Sequence, residues 1–68
     1  MKIRINNVDH VIAKDDVALT EVIAILKLNS NKGLAMAIDN KVISKKEWDS
    51  TLLKEGNSIT VIKATQGG

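Results

Sequence analysis

Leu19-Thr20-Glu21-Val22-Ile23-Ala24-Ile25-Leu26 is where the chain changes its period. Leu19, Val22, Ile23 and Leu26 fall at i, i+3, i+4 and i+7, one stripe of an amphipathic helix, and Thr20 and Glu21 lie off it. Just ahead, Asp15 and Asp16 suit a helix N-terminus, where a carboxylate accepts from free backbone amides and meets the positive end of the dipole. Just behind, Asn29-Ser30-Asn31-Lys32-Gly33 carries residues that stop a helix or reverse the chain. One helix is expected here, and the chain on either side of it reads as strands.

On the N-terminal side, Lys2-Ile3-Arg4-Ile5-Asn6 alternates polar and apolar, the pattern of a strand with one buried face. Asn6-Asn7 tolerates the left-handed backbone of a tight turn, and Val8 to Ala13 resumes a β-like run, so the two form a hairpin. On the C-terminal side, Leu34, Met36 and Ile38 share one face of a strand while Ala35, Ala37 and Asp39 share the other. Asn40-Lys41 is the expected turn into a short Val42-Ile43 strand. Ser44-Lys45-Lys46-Glu47 fits a capping box, in which Ser and Glu side chains satisfy each other's backbone amides, so a helical turn carrying Trp48 starts there. Glu55-Gly56-Asn57-Ser58 reads as a turn and Ile59-Thr60-Val61-Ile62-Lys63 as a last β-branched strand. The result is an α+β domain over residues 1–63, with one helix laid across a mixed sheet of four to five strands. Residues 64–68, Ala-Thr-Gln-Gly-Gly, have neither periodicity nor bulk and read as a flexible C-terminal tail.

Composition narrows the function classes. At 68 residues the chain makes one domain. It has no cysteine, which removes disulfides, thiolate metal sites and thiol nucleophiles. No apolar run exceeds five residues, the length of Val22 to Leu26, which is far short of the roughly 20 residues that cross a bilayer. Met1 to Asn6 contains no apolar stretch resembling a secretory signal. The expectation is a soluble, cytoplasmic protein with no membrane partner. A net charge of +2 makes no strong field, and the single aromatic, Trp48, offers no row of rings for stacking bases, so nucleic acid is not an expected partner. His10 is the one histidine, and a metal ligand there would lack companions. It reads as a solvated strand residue, Trp48 as a packing residue at the core edge, and the lysines, including Lys45 and Lys46, as solvated surface. Neither a bound cofactor nor an enzymatic activity is expected of so small a chain.

The tail is where chemistry can reside. Gly67 and Gly68 lack Cβ atoms, so the backbone there can take angles closed to other residues and pass through a narrow slot in a partner. The terminal carboxylate is ionised at neutral pH and can act as a nucleophile towards a nucleotide phosphate. The mixed anhydride so formed carries an electrophilic carbonyl. Phosphate-binding loop, metal and base must all come from a partner enzyme.

Beyond these physical readings, the sequence resembles the small sulfur-carrier proteins of thiamine biosynthesis, the ThiS type. The resemblance is carried by Gly33-Leu34-Ala35-Met36-Ala37-Ile38-Asp39-Asn40, by Val42-Ile43-Ser44-Lys45-Lys46-Glu47-Trp48, by Leu53-Lys54-Glu55-Gly56-Asn57-Ser58-Ile59, and by Gln66-Gly67-Gly68. It covers most of the chain in the same element order. Lys45-Lys46 stands where the family often has Pro-Arg or Arg-Ser, and Asn57 where an Asp is usual; both departures fall in turns and bear on partner preference. The resemblance implies a β-grasp, ubiquitin-like fold. It also implies that an E1-like adenylating enzyme activates Gly68 with ATP, which belongs to the partner's chemistry. A cysteine-derived persulfide sulfur then converts Gly68 to a thiocarboxylate, with Gly67 and Gln66 giving access, and thiazole synthase receives the sulfur. The carrier is expected to be a monomer when free.

Strand parity adds a docking surface to that picture. If Ile59 and Val61 point inward, Thr60 and Ile62 point outward, and Ala35 and Ala37 join them as a shallow apolar patch near the base of the tail. Three alternatives stand beside the thiamine reading. The small subunit of molybdopterin synthase would stay bound to a large subunit and commonly has a Pro in its tail, whereas this chain has none. A ubiquitin-like modifier would leave isopeptide-linked adducts. A plain β-grasp interaction module would tolerate removal of Gly67 and Gly68.

Overall fold

The computed structural model describes residues 1–28 and 33–63. Residues 64–68, including Gln66, Gly67 and Gly68, lie outside the described residues, as do Asn29 to Lys32. Among the described residues, five strands form one sheet: β1 (Lys2–Ile5), β2 (Val8–Val11), β3 (Leu34–Ile38), β4 (Lys41–Ile43) and β5 (Ser58–Lys63). Their order across the sheet is β2-β1-β5-β3-β4, with β5 in the centre. β5 runs parallel to β1 and antiparallel to β3, which makes the sheet mixed.

Two tight turns build the flanking hairpins. Ile5 and Val8 close the first across Asn6-Asn7, whose φ values of 51° and 69° are the left-handed pair that matches the twist of the strands. The second hairpin turns at Asp39-Asn40, with φ of 49° and 73°, one residue earlier than the Asn40-Lys41 expected. Asp and Asn tolerate the left-handed region and Lys does so poorly, so Lys41 joins β4 opposite Ile38. Gly56, with φ of +85°, turns the chain into β5.

The helix is shorter than its apolar stripe. The chain turns as a 3₁₀ segment over Leu19–Glu21 and as α1 only over Val22–Ile25. Asp15 and Asp16 therefore do not cap it; both are exposed ahead of an N-cap at Ala18. The cause is a tertiary pairing. Ala18 bridges to Leu52, the Leu19 N–H donates to the Thr51 carbonyl at 2.7 Å, and the Leu53 N–H donates to Val17 at 2.8 Å. These bonds hold the chain extended up to Ala18, so the helical turns start only at Leu19. The far end comes early too, because Lys27 takes a left-handed φ of 57° before Asn29 is reached.

Ile3, Ile5, Leu34, Met36 and Ile59 form the inner face of the sheet and pack against Val17, Leu19 and Val22. Ile23 and Leu26, the remaining stripe positions, are half-buried. Trp48 and Leu53 belong to the same core. Trp48 lies deeper than a core edge, and its indole N–H donates to the Ile43 carbonyl at 3.0 Å. It follows a 3₁₀ turn over Lys45–Glu47 that begins where the capping pattern placed it. The two capping side chains, however, meet each other, Ser44 Oγ donating to Glu47 Oε1 at 3.0 Å, and neither reaches a backbone amide of the turn.

Candidate functional site

With one face of the sheet covered by α1 and the core, the opposite face is where a partner can sit. Register decides its composition. Ala35 lies opposite Ile62, and Ala37 lies between Thr60 on one side and Val42 on the other. Paired residues in antiparallel strands point the same way, so Ala35, Ala37, Thr60, Ile62 and Val42 share the outer surface. Parity predicts the first four on one face, and the pairing brings all four together. Ile62 is 55% exposed and Val42 is 72% exposed, which leaves two large apolar side chains in water. Ala37 lies on this face but is buried at 8% exposure, because the longer side chains on both sides of it close over a methyl group. Val42 is not legible in the alternation of the sequence. A three-residue strand has too little alternation to show its parity, and only its pairing with Ala37 places it here.

The other half of the same face is charged. Arg4 of β1 lies opposite Asp9 of β2; its Nε donates to Asp9 Oδ1 at 3.2 Å, and Lys2 Nζ stands 3.7 Å from the other oxygen. The hydrogen bond from Arg4, then the charge of Lys2, holds the Asp9 carboxyl below its ordinary range. The three groups are exposed, so they mark the polar border of the apolar patch more than they stabilise the fold. His10 does not join this face. It lies opposite Ile3, on the core side of β2, and is half-buried, less solvated than expected. Among the described residues, no three His, Cys, Asp or Glu side chains gather as a metal site, and no helix is long and apolar enough to cross a membrane.

The patch reaches the C-terminal end of β5, of which Ile62 is the penultimate residue. The sequence beyond it, through Gln66 to Gly68, falls within the match to a family model, the ThiS family, which spans residues 3–68. The chain belongs to the ThiS family. A crystal structure of the thiamine biosynthesis protein ThiS from Geobacter metallireducens superposes with a TM-score of 0.84 at 19% identity, covering 100% of both chains. A solution structure of a thiamine biosynthesis protein from the same organism gives 0.81 at 20% identity, covering 100% of this chain and 88% of that one. Such identities establish a shared fold, the β-grasp arrangement of ThiS proteins. No curated protein matches the sequence.

Proposed function

We propose that this chain is the sulfur carrier of thiamine biosynthesis, acting as a protein substrate. The supporting observation is the ThiS family match from residue 3 through the Gly67-Gly68 pair. An E1-like adenylating enzyme binds ATP, and the Gly68 carboxylate attacks the α-phosphorus, releasing pyrophosphate and forming an acyl-adenylate. A cysteine-derived persulfide displaces AMP, and thiol cleavage of the resulting S–S bond leaves a thiocarboxylate. Thiazole synthase then takes the sulfur for the thiazole ring. Gln66 and Gly67 let the tail reach the partner's active site. A chain without cysteine cannot intercept its own acyl-adenylate with an internal thiolate.

In this reading Ala35, Ala37, Thr60, Ile62 and Val42 form the face on which the adenylating enzyme seats the carrier. The reaction takes place in the cytoplasm, where the carrier circulates as a monomer between its partners. Intact-mass spectrometry after incubation with ATP, the adenylating enzyme and a sulfur source tests the proposal. The expected product is heavier by the difference between one sulfur and one oxygen, and removal of Gly67 and Gly68 abolishes it. An unchanged mass for the full-length chain refutes it.

A further inference from the structure

The geometry points to Asn6 as the residue that positions the end of β5 at the docking face; this inference rests on the sulfur-carrier reading above. β1 pairs with β5 at Arg4 with Ser58 and at Ile5 with Ile59, and then leaves the sheet through the Asn6-Asn7 turn. The Asn6 N–H still donates to the Ile59 carbonyl at 2.9 Å. In a regular parallel ladder the next bond would run from the Val61 N–H to the main-chain carbonyl of Asn6. Asn6 is left-handed, which turns that carbonyl away from the ladder. Its side chain takes the place instead: Asn6 Oδ1 accepts from the Val61 N–H at 2.9 Å.

One side chain thus does two jobs. The left-handed turn accepts Asn, Asp or Gly, but of these only Asn and Asp also carry a short acceptor. The bond extends the two-sided hold on β5 to Val61, beside the docking residue Ile62 and two residues before the strand ends at Lys63. From there β5 is paired to β3 alone, through Ala35 with Ile62 and Leu34 with Lys63. In the proposed reading the carrier docks through this strand end, and a loosened strand end adds freedom that must be lost in every productive encounter.

At the opposite end of β5 the second hairpin supplies a control. Asp39 is also left-handed, and its Oδ1 accepts from the Ser58 N–H at 3.0 Å. It is the same kind of bond at the start of β5, and Asp39 Oδ2 also accepts from Asn57 Nδ2 at 3.2 Å, so Asp39→Gly removes no less than Asn6→Gly does.

The test uses the full-length chain with its adenylating enzyme, ATP and a sulfur source, in steady-state kinetics and in amide hydrogen exchange. Asn6→Gly keeps the turn and removes the acceptor. It is expected to speed exchange at Val61 and lower kcat about fivefold, the factor that one intramolecular hydrogen bond is worth, with KM within about twofold of wild type. Asn6→Asp restores both readouts. Asp39→Gly speeds exchange at Ser58 and leaves kcat unchanged. The inference is overturned by wild-type kcat in Asn6→Gly, by unchanged exchange at Val61, or by an equal loss of kcat in Asp39→Gly, which would make the effect one of general stability. A wild-type chain that is never modified removes the sulfur-carrier reading itself, and this inference with it.

Discussion

Ile62→Asp probes the docking face most directly. Ile62 is 55% exposed, so about half of its side chain is still available for burial by a partner. Full burial of an Ile side chain contributes about 1.5–3 kcal/mol, so covering the remainder is worth about 1–1.5 kcal/mol, or five- to tenfold in KM. The substitution also sets a carboxylate beside Ala35, whose methyl group offers it no partner. Desolvating that charge costs several kcal/mol more, so kcat/KM for adenylation falls by about a hundredfold or greater. The fold tolerates the change. Ile62 faces away from the core, and a strand-propensity loss of about 1 kcal/mol is small beside the roughly 3–10 kcal/mol expected of a chain this long. The assay is pyrophosphate release at varied carrier concentration, with a circular-dichroism melt as the folding control. A kcat/KM within about threefold of wild type, in a variant that melts normally, would refute the docking face.

Three other substitutions probe the body of the domain. Ile59→Ala empties a site only 1% exposed on the central strand and should lower unfolding free energy by about 2–5 kcal/mol in urea titrations, with the m-value unchanged. Trp48→Phe keeps a ring in the core but removes the donor to the Ile43 carbonyl, for a loss of about 1–3 kcal/mol by the same measurement. Asp9 sets part of the acid response. Its folded pKa is lowered by Arg4 and then Lys2, so its stabilisation is present above the unfolded value of about 3.9 and fades as pH falls through the folded one. Asp9→Asn should therefore flatten the stability curve slightly below about pH 4, the effect being small because the group is exposed.

How far the residues themselves disclose this molecule varies with the range of the contacts. Alternation in Lys2–Ile5, Leu34–Ile38 and Ile59–Lys63 discloses each strand's buried face, because side-chain direction follows from position along a strand alone. The left-handed turn at Asn6-Asn7 is similarly local. The helix boundaries are not. Its stripe is correct at Leu19 and Val22, yet its start is delayed by bonds from residues 17–19 to Thr51, Leu52 and Leu53, which no local window contains.

The ordered pattern of strands and turns, the parity of Ala35 and Ile62, and the paired glycines were all present in the chain before it folded. The placement of Val42 beside Ala37, the burial of Ala37 and the bond from Val61 to Asn6 came only with folding. Pairing register joins positions far apart in the chain, 55 residues in the case of Asn6 and Val61, and such a bond exists only once the hydrophobic core has brought the strands side by side.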